Sequence, residues 1–165
     1  MLEGNQKQKE PYHSGEIFHL WSYLYNTKEY LVTLQVLNNH AGDQDLKAFM
    51  DDIQEDVYKQ EEQQVETILK EAGIRLPPAP PDRPNVEVQD IPAGARFNDP
   101  EIAVLLQKEL LSGKVMCSYI MGVCVDENVK NLFGEFHAQK EDYDVKLNKI
   151  TKEKAWMVSP PVHIK

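Results

Sequence analysis

The residues in this sequence best suited to metal chemistry are Glu16 and His19, which form a Glu-x-x-His motif. A three-residue spacing places both side chains on one face of a helix. Carboxylate and imidazole ligands suit iron or manganese, and helical bundles that hold two such ions use a Glu-x-x-His from each of two helices and an inward Glu from each of the others. No second Glu-x-x-His lies within another predicted helix, so the motif predicts at most part of such a site, at the end of a bundle.

Two further carboxylates, Glu61 and Glu109, fall on the apolar faces of their predicted helices. A carboxylate in a core is costly unless it is paired, protonated or bound to metal, so we expect a buried polar site there. Three interpretations stay open: a complete di-iron site, a partial or mononuclear metal site using Glu16, His19, Glu61 or Glu109, and a polar network without metal. The third is favoured, because the last predicted helix brings no carboxylate or histidine to its apolar face.

Nucleophilic catalysis finds little support in the sequence, which contains no Gly-x-Ser-x-Gly, no P-loop and no Gly-x-Gly-x-x-Gly. The two cysteines, Cys117 and Cys124, would lie about 10 Å apart on one helix face, too far for a disulfide. We therefore expect buried, reduced thiols. The sequence predicts a protein that is not an enzyme and needs no cofactor, with iron or manganese as the alternative.

Four long helices must position these side chains, and their apolar periodicity predicts them over residues 14–38, 43–72, 99–124 and 126–154. Ser14, Asp43 and Asp99 are the expected N-caps of the first three. Residues 74–98 are rich in proline and predict an extended strap between the second and third helices. Two short connections and one long crossover are typical of an all-α, ferritin-like four-helix bundle, here a single domain over residues 1–165.

Apolar periodicity also predicts which residues of the second and third helices face the core. For the second helix it assigns to the core Leu46, Met50, Ile53, Val57, Gln60, Glu61, Gln64, Ile68 and Ala72. For the third helix it assigns Ile102, Leu105, Leu106, Glu109, Met116, Ile120 and Val123.

Composition narrows the classes of partner. Among 165 residues, 18 are Lys or Arg and 27 are Asp or Glu, a net charge of −9. This balance argues against binding to nucleic acid or to membrane surfaces, which draw on basic patches. No apolar run approaches the roughly 20 residues that span a bilayer, and the N-terminus has no apolar core of a signal peptide. We therefore expect an intracellular protein.

Several stretches together resemble an uncharacterised ferritin-like family of spore-forming bacilli related to spore coat protein F. They are GEIFHLWSYL (15–24), NNHAGDQDLK (38–47), LPPAPPDRP (76–84), DIPAGARFNDPEIA (90–103) and KEKAWMVSPP (152–161). The second half of the sequence is closest to the coat protein F pattern. The positions that match it are Asp99, Ile102, Ala103, residues 110–114, His137 and Trp156. The resemblance implies a ferritin-like fold and a spore-coat or sporulation-associated role. It implies no reaction and no catalytic residues.

The residues and the resemblance together support three hypotheses of function. The first is a structural or interaction protein associated with spores, whose partners are other coat proteins or a second copy in a homodimer. The second is a metal-binding ferritin-like protein, an iron or manganese oxidoreductase or store. The third is a bundle that presents its proline-rich strap, residues 76–98, to a ligand or partner.

Overall fold

The computed structural model of the protein describes residues 10–164, and among these it contains four long helices and no strand. Helix α1 spans Ser14–His40. The second long helix is continuous and consists of α2 (Gln44–Ile53), a π turn (Gln54–Tyr58) and α3 (Lys59–Glu71). Helices α4 (Asp99–Val123) and α5 (Glu127–Glu153) follow. The predicted all-helical class is confirmed, and the ends of the four helices differ from the predicted ones by at most two residues. The assignment of residues 1–165 to one domain stays a prediction.

The helix N-termini show how local sequence sets these bounds. Asp43 caps α2 as predicted, and its carboxylate accepts a hydrogen bond from the Leu46 N–H at 3.1 Å. The predicted cap of α4, Asp99, is wrong by one residue. Asn98 is the cap, with its side chain accepting from the Glu101 N–H at 3.0 Å while the Glu101 carboxylate accepts from the Asn98 N–H at 2.8 Å. Likewise His13, not Ser14, precedes the first turn of α1.

The core consists of two apolar clusters, one toward each end of the bundle. One joins the C-terminal half of α1 to the N-terminal half of α4, and includes Leu34, Met50, Leu106 and Leu147. The other joins the N-terminal half of α1 to the C-terminal half of α4, and includes Leu24, Val65, Ile120 and Phe133. Helix α1 therefore runs antiparallel to α4 and parallel to α5. The clusters meet near the middle of the bundle, where a group of polar residues is buried.

The π turn shifts the core face of the second long helix by one residue. Before the turn the buried side chains follow the predicted face, but after it Glu61, Val65 and Leu69 are buried, whereas Gln60 and Gln64 are exposed. The prediction for this half was right for Glu61 but wrong for Gln60 and Gln64, because it assumed an unbroken α-helical repeat. A π turn accommodates one extra residue, so every later core position moves by one.

The core face of α4 also differs from the prediction. Its buried side chains are Ile102, Ala103, Leu106, Leu110, Cys117 and Ile120. Met116 and Val123, which were predicted to be in the core, are 40% and 44% exposed. Met116 and Glu109 instead line a cavity between α1 and α4, because these two helices are separated there by polar and aromatic side chains rather than apolar packing.

The proline-rich segment between α3 and α4 lies along α1 and is held to it mainly through backbone atoms. The Trp21 indole N–H donates to the Arg75 carbonyl at 2.9 Å, and the Lys28 ammonium donates to the Pro77 carbonyl at 3.1 Å. Further along α1, equivalent hydrogen bonds involve Gln35, Asn39 and His40. Within residues 10–164, no helix is both long and apolar enough to cross a membrane.

Candidate functional site

A buried ion pair lies at the middle of the bundle, between Lys140 of α5 and Glu61 of α3. The Lys140 ammonium donates to one carboxylate oxygen of Glu61 and, at 2.9 Å, to the hydroxyl oxygen of Tyr23 on α1. The Tyr23 hydroxyl in turn donates to the other Glu61 oxygen at 2.8 Å. Both members of the pair are at most 1% exposed. Three helices are thus connected by a closed triangle of charge-assisted hydrogen bonds.

Two features of the sequence bring Lys140 to this place. The core residues of α5 recur at alternating spacings of three and four, and Lys140 occupies the position between Phe136 and Tyr143. On α4, Gly113 leaves room for the lysine chain, since a Cβ built there would lie 2.7 Å from the Lys140 Cε. Sequence reasoning missed Lys140, although the missing apolar residue in the α5 repeat was a signal that could have found it.

Burial dominates the proton affinities at this site. It raises the pKa of Glu61, although Lys140 and the Tyr23 hydroxyl act against that shift. Burial, followed by the Glu61 charge, raises the pKa of Tyr23 well above its usual range. The Cys117 sulfur lies 3.6 Å from the Tyr23 hydroxyl oxygen, and burial also raises the pKa of this thiol. A thiol with a raised pKa is a poor nucleophile at neutral pH, so the cluster offers no activated nucleophile.

Both cysteines are free and buried, as the sequence predicts for reduced thiols.

A cavity of about 310 Å³ opens beside the ion pair, between α1 and α4. Its walls include the rings of Tyr30 and Tyr58, which meet edge to face with centroids 4.7 Å apart, and the side chain of Glu109. Burial raises the pKa of Glu109, with Lys140 opposing and Glu61 adding to that shift. The cavity therefore borders the ion pair, and Glu109 adds to its wall a carboxylate besides that of Glu61.

Glu16, in contrast, lies at the end of the bundle, and among residues 10–164 its carboxylate is hydrogen-bonded only to backbone groups. Its carboxylate accepts hydrogen bonds from the N–H groups of Val125 at 2.6 Å, Asp126 at 2.8 Å and His13 at 2.9 Å. Burial acts to raise the pKa of Glu16, but these hydrogen bonds outweigh it and the pKa is lowered. Glu16 thus joins the start of α1 to the turn before α5.

His19 is half-buried near the same end, and its ring packs against Phe18 and Tyr119. The structure therefore brings together only two of the four residues predicted as metal ligands, Glu61 and Glu109, on either side of Lys140. Within residues 10–164, no three His, Cys, Asp or Glu side chains lie close enough to hold a metal ion.

The donor groups at the centre of the bundle do not fit a resident iron or manganese ion. Both oxygens of Glu61 already accept hydrogen bonds, and the ammonium of Lys140 occupies the position beside them where a cation would bind. This arrangement favours the polar network without metal. The metal-binding alternative stays a prediction, which metal analysis of the purified protein can test.

Comparison with known proteins gives three similarities that each cover nearly the whole chain. A family model described as "Protein of unknown function (DUF3231)" matches residues 1–165. The uncharacterized protein YvdQ of Bacillus subtilis is 42% identical over 166 residues, which cover 99% of this chain and 95% of YvdQ. A crystal structure from Bacillus halodurans, described as that of a "putative spore coat protein", is similar with a TM-score of 0.91 and 40% sequence identity, and the match covers 94% of this chain and 98% of that one.

Proposed function

This chain belongs to the DUF3231 family of proteins of unknown function, and from that premise we propose that it is a structural or interaction protein associated with the spore coat, and not an enzyme. The observation that carries the proposal is the similarity, over 94% of the chain, to the Bacillus halodurans protein described as a "putative spore coat protein". The resemblance of the sequence to the coat protein F family points in the same direction.

We also infer that the bundle is ferritin-like. Helix directions support this, because α1 and α5 are parallel to each other and antiparallel to the two helices between them. Such an order requires one long connection, and the proline-rich residues 72–98, which follow α1 along its length, are suited to be that crossover. The ion pair of Lys140 and Glu61 supports a role without catalysis, since it fills the place where such bundles hold their metals.

An exposed apolar face on α4 supports a role in protein interactions. Leu111 and Val115 are 60% and 61% exposed, and Tyr119 and Val123 continue the same stripe at four-residue spacing. On α1, Phe18 extends it through His19, whose ring lies 5.2 Å from that of Tyr119. Each of the apolar side chains of this face, on α4 and at Phe18, is between 44% and 65% exposed, and together they form the continuous apolar centre that a standard interface of about 800 Å² per partner needs. We propose that this face binds a second copy in a homodimer.

The coat association is tested by localisation. The chain, fused to a fluorescent protein, is expressed in Bacillus subtilis during sporulation, and purified spores are extracted for coat proteins. We expect the fusion in the coat extract and the unfused fluorescent protein in the mother-cell lysate. Recovery of the fusion only in that lysate would overturn the proposal.

The dimer is tested by sedimentation velocity of the purified chain. We expect a dimer that the double variant Leu111→Asp/Val115→Asp converts to a monomer, because two charges would be buried without partners. Val86→Asp is the control, since Val86 is also an exposed apolar residue, at 40%, but lies on the proline-rich segment beside Asn39 of α1, away from the C-terminal half of α4. A wild-type monomer, or a double variant that stays dimeric, would contradict this interface.

A further inference from the structure

The hydroxyl of Tyr58 is an exception among the buried polar groups of this protein. Tyr58 is 2% exposed, and within residues 10–164 its hydroxyl is the one buried side-chain polar atom without a hydrogen-bond partner. Native structures leave few such groups unpaired, because each costs free energy. Tyr58 ends the π turn, which brings two consecutive side chains, Val57 and Tyr58, into the interior. Its ring lines the cavity between α1 and α4.

The carboxylate of Glu109 lies in the wall of the same cavity. It accepts no hydrogen bond and forms no ion pair with any of residues 10–164, although it is partly buried. Tyr30 and Tyr58 line the same cavity, and the charge of Glu109 adds to the effect of burial in raising the pKa of both tyrosines. The cavity thus holds a phenol and a carboxylate that have no partner of their own.

The adjacent ion pair shows what such a pair of groups can bind. There a carboxylate and a phenol, Glu61 and Tyr23, together accept hydrogen bonds from the ammonium group of Lys140. Glu109 and Tyr58 repeat the same two chemical groups in the wall of the adjacent cavity. The two pairs are alike in the ligand that they suit. A primary ammonium has three N–H donors and a positive charge; a carboxylate and a phenol oxygen accept its hydrogen bonds, and the carboxylate neutralises its charge.

The charges around the cavity also favour a cation. Its lining contains two carboxylates, Glu29 and Glu109, and one ammonium, that of Lys140. Glu61 is paired directly with Lys140, so the two carboxylates of the cavity share only the remaining influence of that one positive charge. The faces of the tyrosine rings add to the attraction for a positive group.

We propose that the cavity between α1 and α4 binds a small primary ammonium ligand. Its nitrogen donates to the Glu109 carboxylate and, after a small rotation of the Tyr58 side chain that exposes the buried hydroxyl, to the Tyr58 oxygen, while its aliphatic part packs against Tyr30 and Met116. The volume of about 310 Å³ is at the lower end for small-molecule sites and suits an amine with a short chain. This site is independent of the proposed coat association.

The test uses n-butylammonium chloride as the probe, titrated into the full-length protein by isothermal calorimetry. We expect saturable binding at one site. n-Butanol has the same chain without the charge, and tetramethylammonium has the charge without an N–H donor, so both should bind at least about tenfold more weakly. Sodium chloride at equal ionic strength controls for screening.

Three variants locate the site. Glu109→Gln should weaken butylammonium binding about tenfold or more, and Tyr58→Phe should weaken it about threefold to tenfold. Glu87→Gln, on the exposed proline-rich segment, makes the same chemical change elsewhere and should leave binding unchanged. Circular dichroism and thermal unfolding verify that each variant is folded.

The proposal is overturned if butylammonium gives no saturable binding to the wild type, as it would if only water occupied the cavity. It is also overturned if butanol or tetramethylammonium binds equally well, or if Glu109→Gln binds as tightly as the wild type.

Discussion

The middle and the end of this bundle each bury a carboxylate, and they satisfy it in opposite ways. At the middle, Glu61 is bonded to the side chains of Lys140 and Tyr23 from two other helices. At the end, Glu16 is bonded only to backbone N–H groups, from its own cap and from the turn before α5. The pKa of Glu61 is raised, whereas that of Glu16 is lowered.

The difference shows that depth of burial decides which form a carboxylate prefers, because desolvation outweighs the contacts with Lys140 and Tyr23 at Glu61 but does not outweigh the backbone hydrogen bonds at Glu16, near the end of the bundle. Backbone N–H groups are dipoles that the helix ends orient in any case, so Glu16 obtains its partners without burying a second charge. The partner of Glu61 is an ammonium that must itself leave water, and the two desolvation penalties offset much of the attraction. The stability of the fold therefore depends on keeping both Lys140 and Glu61 at the middle of the bundle.

The largest expected effect comes from removing one partner of the central pair. Lys140→Met keeps the length of the side chain but leaves Glu61 buried without its cation, and should lower the free energy of unfolding by about 3–5 kcal/mol. Urea unfolding measures the loss. Adding Glu61→Gln should recover much of it, and Lys149→Met, at an exposed position on the same helix, should cost less than about 0.5 kcal/mol. A loss under about 1 kcal/mol for Lys140→Met would contradict this account of the middle of the bundle.

A smaller effect is expected from closing the space that Lys140 uses. Gly113→Ala adds a methyl group 2.7 Å from the Lys140 Cε, so the lysine must move and strain its bond to Glu61. We expect a loss of about 1–3 kcal/mol in chemical unfolding. Gly122→Ala on the same helix is the matched control, because no heavy atom lies within 4 Å of its added Cβ. It should gain up to about 1 kcal/mol from helix propensity. Equal effects of the two variants would show that Lys140 is not confined by Gly113.

The two carboxylates should also differ in how their contributions depend on pH. Glu16→Gln should cost about 1–3 kcal/mol near pH 7, because it weakens hydrogen bonds to a charged acceptor. Since the folded-state pKa of Glu16 is lowered, its contribution is complete above the unfolded pKa of about 4.3 and is lost as the pH falls through the folded value. The wild type and Glu16→Gln should therefore converge in unfolding free energy under acid conditions.

The folded-state pKa of Glu61 is raised. The free energy of unfolding of the wild type should therefore rise relative to that of Glu61→Gln as the pH falls through that raised value. Unfolding curves of both variants between pH 3 and 7 test the contrast. Parallel pH profiles for the two would contradict it.

The smallest effect concerns the two buried tyrosines. Tyr58→Phe removes a hydroxyl that has no partner within residues 10–164, and should raise the free energy of unfolding by about 1 kcal/mol. Tyr23→Phe removes a hydroxyl bonded to both Glu61 and Lys140, and should lower it. Thermal unfolding without added amine distinguishes them. A destabilised Tyr58→Phe would show that this hydroxyl has a partner in solution.

The sequence predicted the helices and the buried carboxylates better than the way in which those carboxylates are satisfied. Apolar periodicity located four helices, and the cost of burying Glu61 predicted a polar site at the right helix. Apolar periodicity could not identify Lys140 as the partner, because it assigns core positions from apolar residues, and a lysine at such a position only interrupts the repeat. Nor could it find two of the three backbone N–H partners of Glu16, since those of Val125 and Asp126 come from a turn more than a hundred residues away.

The register error after Val57 has a different origin. Periodicity assumes 3.6 residues per turn throughout, and the π turn breaks that assumption by one residue, with no Pro or Gly between 54 and 58 to mark it. Tyr58 was therefore not recognised as an interior residue. The cavity depends on Tyr58 and on where α1 and α4 lie, and neither is encoded in local sequence.

The π turn also bears on how the length of this chain could change. It absorbs one residue more than an α-helix of the same span, while Met50 before it and Glu61 after it both face the core. Deleting one exposed residue, such as Glu55, would straighten the helix and still leave Glu61 facing Lys140. The bundle is thus compatible with two lengths of its second helix. Tyr58 lies three residues before Glu61 at either length, so it is Val57 that only the longer helix places in the core, and a single codon gained or lost could add that side chain to the core or remove it without rebuilding the fold.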